Sequence, residues 1–541
     1  MKVTRTKSWT IGTGIAGVLI MISACSSDNV ATPQSVPPIE TTANSTPLSV
    51  ADTVPATTPD PDPVPITTPA TTAETIAPDS IVARTPVKVL TPVAAGAGQA
   101  TVSRRDLAAD GYSETEFFIE GSATSYAPDG KLSADGLWAV TADASADYRT
   151  RIVVRRPADA ADFSGTVLVE WLNVSSGADG DPDWGYTSDE LIRSGHAWVG
   201  VSAQAVGVNG GGSILGEQSA TPGGLVNTDS VRYGTLVHPG DAFSYDIFTQ
   251  AATALTAHDG PAPLGDLVPT QIIASGESQS AFFMTTYINA VHPLAQLFQG
   301  FLVHSRAAGG SSLDGSPNTD IRGAAGATAI RSDLDTPVMV FQTETDLTVL
   351  GYGLANQDDA NMVRVWQVAG TAHADEFLLV EVYGLGADTD LSTLVNCAAP
   401  LNAGPHHEVL QAALHHLIAW VSNGTEPPAS PRLELAQKDP PTLARDEHGI
   451  VLGGIRTPLV DVPVDVLSGD LIPGSVGFCA LFGSTLPLDP AVLATMYPSA
   501  QEYLDAFAGS LQATVDAGFV LEVDAGRLLA ESKANAALIA G

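Results

Sequence analysis

The chain has 541 residues, 44% of them hydrophobic and only 16% charged, which is enough apolar material for a large core and for more than one domain. Its 24 Lys+Arg against 60 Asp+Glu give a formal charge of −36, a balance that opposes binding to nucleic acid or to anionic lipid headgroups and favours solubility. In chain order, the first element is a targeting segment. Lys2, Arg5 and Lys7 make a positive start, and Ile11 to Ile22 make a short apolar run. That run is short for a membrane span, and no later stretch reads as one.

From 25 to 86 the sequence is Thr, Pro, Ala and Ser with scattered acids, as in Thr53-Val-Pro-Ala-Thr-Thr-Pro-Asp-Pro-Asp62. Such a stretch cannot bury enough apolar surface to offset the entropy of ordering, so it is expected to be a disordered tether. Past it, Glu114 to Ala127 and Tyr148 to Arg156 read as early strands. Next come a strand from Gly165 to Leu172, a helix from Tyr186 to Arg193 and a strand from His196 to Ala203. A Gly-rich loop runs to about Gly240, followed by a helix from Asp241 to Ala257. Gly207-Val-Asn-Gly-Gly-Gly212 lacks the lysine and following helix of a phosphate loop and reads as a flexible pocket rim. Asp179-Gly-Asp181-Pro-Asp183 lacks the distal glutamate of a calcium loop and reads as a solvated acidic loop.

The most informative stretch is Gln271-Ile-Ile-Ala-Ser-Gly-Glu-Ser-Gln-Ser280. A short apolar strand meets Gly276-Glu-Ser278-Gln-Ser280, and a helix runs on from Ala281 to Ala290. Strand, tight Gly-x-Ser-x-small turn and helix form a nucleophile elbow, with Ser278 as the nucleophile and Ser280 standing where a second glycine is usual. After it come strands at Gly300–His304, Pro337–Thr343 and Met362–Val368, then a helix at Glu408–Val421. Strands alternating with helices imply a mostly parallel central sheet with helices on both faces. From 425 to 541 the pattern is less regular, with helices at Ser499–Ala517 and Asp524–Ala540. It is expected to be a C-terminal extension packed on the 87–424 domain, since no flexible linker precedes it.

A serine hydroxyl is a weak nucleophile near neutral pH. It needs an imidazole as base and a carboxylate to orient that imidazole, in the chain order Ser, acid, His on this architecture. His373, in Val368-Ala-Gly-Thr-Ala-His-Ala-Asp375 after the last of these strands, is the candidate base. Asp346 is the preferred acid, and Glu344, two residues nearer the strand, is the alternative. Whichever is unused could cap the following turn. The oxyanion donors are expected to be the main-chain N–H of Gln279 and that of Asn173 or Val174, in the loop after the Gly165–Leu172 strand. His406, His407, His415 and His416 lie in or beside a helix and read as core or surface residues, while a pocket-lining role for His304 stays open. No metal motif occurs, and the chemistry requires no cofactor.

With these pieces placed, the chain from about Asp106 onward resembles the α/β-hydrolase superfamily, and more narrowly the bacterial "alpha/beta hydrolase domain" group. Glu170-Trp-Leu-Asn-Val-Ser175, Val199-Gly-Val-Ser-Ala-Gln204, Ser275-Gly-Glu-Ser-Gln-Ser-Ala281, Thr343-Glu-Thr-Asp346 and Gly370-Thr-Ala-His373 carry the likeness. Gly453-Gly-Ile-Arg-Thr-Pro458 and Leu481-Phe-Gly-Ser-Thr485 extend it. The resemblance implies an α/β-hydrolase fold and ester-hydrolase-like chemistry on a small or medium ester, without naming the substrate. A non-catalytic binding protein and an amide or peptide hydrolase on the same fold are the alternatives.

Ile22-Ser-Ala-Cys25 resembles the lipobox of bacterial lipoproteins. That likeness implies a signal peptide over 1–24, lipid on Cys25 and a protein held at a membrane of the cell envelope. An ordinary secretory signal and an uncleaved anchor are the other readings. Cys397 and Cys479 are the remaining cysteines. In an exported compartment they either pair, closing a loop of about 80 residues worth about 4 kcal/mol, or stay as separate buried thiols.

Overall fold

The computed structural model describes residues 85–539, apart from 93, 97, 101–102, 212–222, 317–325, 383, 385–390, 395–396 and 476. The signal segment, Cys25 and nearly all of the expected tether lie outside the described residues.

Ten strands form one sheet: β1 (Val87–Leu90), β2 (Tyr112–Pro128), β3 (Val140–Pro157), β4 (Thr166–Trp171), β5 (Ala197–Val201), β6 (His258–Asp259), β7 (Gln271–Glu277), β8 (Gly300–His304), β9 (Val338–Gln342) and β10 (Val363–Gln367). The order is β10-β9-β8-β7-β4-β5-β3-β2-β1-β6. From β10 to β5 every neighbouring pair is parallel; β3 joins β5 antiparallel, and β2 and β1 continue antiparallel. This is the mostly parallel sheet of an α/β-hydrolase fold.

The parallel strands are buried on both faces, which is why they read as unbroken apolar runs in the sequence. Alternate side chains go to opposite layers. On β4, Val167, Val169 and Trp171 face one layer with the helices α2 (Ser244–Thr253) and α3 (Gln279–Thr286). Leu168 and the following Leu172 face the other, with α1 (Pro182–Arg193) and α5 (His406–Asn423); α4 (Glu344–Thr348) is a single short helix after β9. Val409, Leu410, Leu414 and Leu417 place four apolar side chains of α5 in that second layer, each worth about 1.5–3 kcal/mol on burial. The same layer takes Tyr503, Phe507 and Leu511 of α6 (Ala500–Asp516) and Leu528 of α7 (Ala525–Ile539). Ser499 caps α6, its hydroxyl accepting from Glu502 N at 3.2 Å.

Several details differ from the sequence expectation. Helix α1 begins at Pro182, four residues before Tyr186. Proline suits the first helical position, and the buried Glu170 of β4 accepts from the N–H groups of Asp183 (3.0 Å) and Trp184 (2.9 Å) at its start. The acidic stretch before and into α1 is not a solvated loop. Asp179 bonds Arg151 at 2.7 Å, Asp181 bonds Arg155 at 2.5 Å and Asp183 bonds His304 at 2.8 Å. Arg151 and Arg155 are fully buried on β3, so Asp179 and Asp181 are drawn in as their counter-charges. The short strands β1, β6, β11 (Leu435–Lys438), β12 (Pro441–Leu443), β13 (Asp465–Ser468) and β14 (Ser484–Pro487) were not among the expected elements. The Gly-rich region carries a short helix over Ala205–Asn209 where a flexible rim was expected; Gly212 itself is not described.

Candidate active site

Strand β7 delivers Ser278 at its C-terminal end, between Glu277 and the first residue of α3. Ser278 has φ 55° and ψ −118°, a conformation that L-residues rarely adopt. Close approach of strand and helix enforces it: a Cβ added at Gly276 would lie 3.1 Å from Ser280 O and 3.2 Å from Ser280 Cβ. Small residues are therefore required on both sides of the turn, and Ser280 is small enough.

His373, in the loop after β10, places Nε2 2.8 Å from Ser278 Oγ and Nδ1 2.6 Å from Asp346 Oδ1. The structure thus brings together the three residues that the sequence singled out. Asp346 is fully buried, and its second oxygen accepts from Thr343 N at 2.6 Å, while Thr343 Oγ1 accepts from Asp346 N. This capping box fixes the carboxylate at the start of α4. Burial opposes charge on His373, but the neighbouring Asp346 and Glu277 outweigh it and hold its pKa above the ordinary imidazole value.

Glu344 faces elsewhere. Its carboxylate accepts from Gly370 N (2.6 Å) and Gly469 N (3.1 Å) and pairs with Arg445 at 2.6 Å. It is no partner for His373, nor does it cap the turn, which Thr343 and Asp346 do. Glu344 instead ties the histidine loop to the C-terminal part of the chain. The two residues part within one turn of α4: the Glu344 carboxylate meets Arg445 and the Asp346 carboxylate meets His373.

The oxyanion expectation divides. Gln279 opens α3, so its N–H is among the first-turn donors that no helical carbonyl reaches. Asn173 is not available through its main chain, because its N–H donates to Gly180 O at 2.9 Å and its carbonyl accepts from Gly180 N at 2.8 Å. Its side-chain amide donates to Glu277 O at 3.0 Å and to Glu277 Oε2 at 2.9 Å. Val174, the next residue of that loop, is the remaining main-chain candidate.

Glu277 was not singled out from the sequence. Its Oε1 lies 3.3 Å from His373 Nε2. Burial raises its pKa to about 7, with His373 and His304 opposing the rise and Asp183 and Asp346 adding to it. The available signal was a carboxylate ending an otherwise apolar buried strand. A second group was also missed. His304 meets Asp183 through Nδ1 (2.8 Å) and His406 through Nε2 (2.7 Å), and His406 Nδ1 lies 3.1 Å from Ala372 O. A carbonyl only accepts, so His406 donates through Nδ1; burial keeps its pKa well below the ordinary value, so its Nε2 accepts from His304. This buried chain holds the main chain of the residue before His373. His304 therefore has no pocket-lining position; it is wholly enclosed. His407 is buried against Phe377, whereas His415 is half exposed.

Cys397 and Cys479 are joined in a disulfide. Two residues beyond Cys479, Leu481 O accepts from Ala374 N at 3.0 Å; beyond Cys397, Asn402 N donates to Phe482 O at 3.0 Å and Asn402 O accepts from Glu376 N at 2.9 Å. Two chain segments thus strap the loop that bears His373. Among the described residues no helix is long and apolar enough to cross a membrane.

The chain is similar to a putative dienelactone hydrolase from Klebsiella pneumoniae, with 12% identity, 57% of this chain and 99% of that one covered, and a TM-score of 0.25. It is similar to a serine hydrolase without a lid from Xanthomonas campestris (12% identity, 51% and 94% covered, TM-score 0.26). A third likeness is to a fungal esterase from Rhizomucor miehei (14% identity, 52% and 81% covered, TM-score 0.25). No curated protein matches the chain. Residues 67–530 match the family described as "Alpha/beta hydrolase domain", and the chain belongs to that family.

Proposed function

We propose that this protein is a serine hydrolase that cleaves carboxylic esters through an acyl-enzyme, exported and held at a membrane surface by lipid on Cys25. The observation that carries the catalytic reading is the unbroken chain from Ser278 Oγ through the His373 imidazole to Asp346, with steps of 2.8 and 2.6 Å, at a backbone-strained turn. Ser278 Oγ attacks the ester carbonyl as its proton passes to His373 Nε2. Asp346 keeps Nδ1 protonated and stabilises the imidazolium that forms. The N–H groups of Gln279 and Val174 receive the oxyanion, each such donor being worth about 2.7–4 kcal/mol in the transition state. Collapse expels the alcohol, which takes the proton from Nε2. A water then gives its proton to the same nitrogen as it attacks the acyl-enzyme, and collapse releases the acid while Nε2 returns the proton to Ser278 Oγ. None of these steps calls on a cofactor.

The test is hydrolysis of a panel of aryl and alkyl esters, together with labelling by a fluorophosphonate, comparing the parent protein with Ser278→Ala. Turnover and labelling are expected in the parent and absent in the variant, with the thermal midpoint nearly unchanged because the hydroxyl does not pack. A folded variant that still turns over esters, or a parent that is never labelled, would overturn the reading. The second outcome would favour a binding role for the fold.

A further inference from the structure

Glu277 stands where neither Ser278, His373 nor Asp346 requires a residue. Its side chain is buried at the end of β7, with Oε1 3.3 Å from His373 Nε2, the nitrogen that faces Ser278 Oγ at 2.8 Å. Its other oxygen accepts from the Asn173 amide at 2.9 Å, and Asn173 donates again to Glu277 O. The imidazole therefore lies between two carboxylates, Asp346 at Nδ1 and Glu277 at Nε2. The second is tied directly to the loop that supplies Val174.

We propose that Glu277 is a second catalytic carboxylate, which raises the proton affinity of His373 Nε2 during attack and couples that nitrogen to the oxyanion loop through Asn173. The inference rests on the hydrolase reading above. The proton of Ser278 still goes to Nε2 as the Oγ–carbon bond forms; Glu277 takes up no proton in that step and acts by its charge. In the resting site Nε2 presents its lone pair to Ser278, so an ionised carboxylate at 3.3 Å disfavours that form relative to the imidazolium.

The groups facing Glu277 are His373 from the loop after β10, His304 opposite it on β8, Asp183 on α1 and Asp346 on α4. The two imidazoles favour its ionisation; burial and the two aspartates oppose it and bring its pKa to about 7. Glu277 is then ionised above neutrality and loses its charge below it. Removing that charge lowers the proton affinity of His373. In Glu277→Gln, whose amide oxygen can still accept from Asn173, the acid limb of kcat/KM should therefore move to lower pH by about one unit, which is tenfold in proton affinity. The plateau kcat should fall by about tenfold if the barrier feels the full charge effect, with KM little changed.

Asn173→Ala removes one donor to the Glu277 carboxylate but leaves the carboxylate in place, so it should move the acid limb in the same direction by less than Glu277→Gln does. The result against the proposal is an unmoved acid limb in Glu277→Gln, and an unmoved one in Asn173→Ala overturns the coupling through Asn173. Titration of the His373 imidazole by NMR in the whole chain, assigned with His373→Gln, reads the same coupling without substrate. A lower His373 pKa in Glu277→Gln supports the pairing, and an unchanged one overturns it, whether or not an ester is hydrolysed. Failure of the hydrolase reading is seen separately, as absent labelling of Ser278 in the parent.

Discussion

At Asp346 one carboxylate does two jobs: Oδ2 closes the cap of a short helix and Oδ1 orients His373. Glu344, two residues earlier, is equally buried but works in a different place, with Arg445 and two main-chain N–H groups. The two residues should therefore fail differently. Asp346→Asn keeps the shape but no longer supports an imidazolium, and is expected to lower kcat by up to about 10⁴-fold while the protein stays folded. Glu344→Gln leaves the Arg445 guanidinium without its buried partner. It is expected to cost about 3 kcal/mol of stability with little loss of turnover per folded molecule. Kinetics and urea unfolding on the two variants check this, and the reverse ranking in activity would make Glu344 the triad acid.

At the scale of elements, the proposed catalytic groups come from separate strand ends: Ser278 after β7, Asp346 after β9 and His373 after β10. Strand pairing sets the relative heights of β7, β8 and β9, whereas the long loop after β10 needs other restraints. It gets them from Asn402, Leu481 and Glu344, and from the Cys397–Cys479 disulfide joining the segments on which Asn402 and Leu481 lie. The sequence separation of 82 makes that bond worth about 4 kcal/mol in the chain-entropy model. Replacing both cysteines by serine is expected to lower the unfolding free energy by about that amount. It should also reduce kcat well below the unfolding temperature, because the His373 loop loses its strap. Full kcat in the folded double variant would show that the hydrogen bonds alone hold the histidine.

For the whole molecule, the proposed anchor and the proposed chemistry occupy different parts of the chain. Cys25→Ser is expected to abolish uptake of a fatty-acid probe and to leave an uncleaved or mislocalised precursor, while the folded domain keeps the kcat of the parent in the proposed reaction. A parent protein that takes up no lipid and is found free outside the cell would make it an ordinary secreted protein with the catalytic proposal untouched.

The strands β4, β5, β7, β8, β9 and β10 and the helices α5, α6 and α7 were legible because burial on both faces or on one face imposes a local pattern on the residues. Ser278 was legible because a strained turn between strand and helix admits few residue types. Other features depend on residues far apart in the chain, and no local pattern announces them. Tertiary structure alone decided that Asp179, Asp181 and Asp183 are held by side-chain partners rather than lying in a solvated loop, since those partners lie on β3 and β8. It also placed Asp346 rather than Glu344 beside His373, occupied the Asn173 main chain with Gly180, and brought Glu277 to the imidazole. Local backbone preference acts over a few residues and can be read along the chain, whereas the direction of a buried side chain is set by whichever charge or donor the fold packs against it.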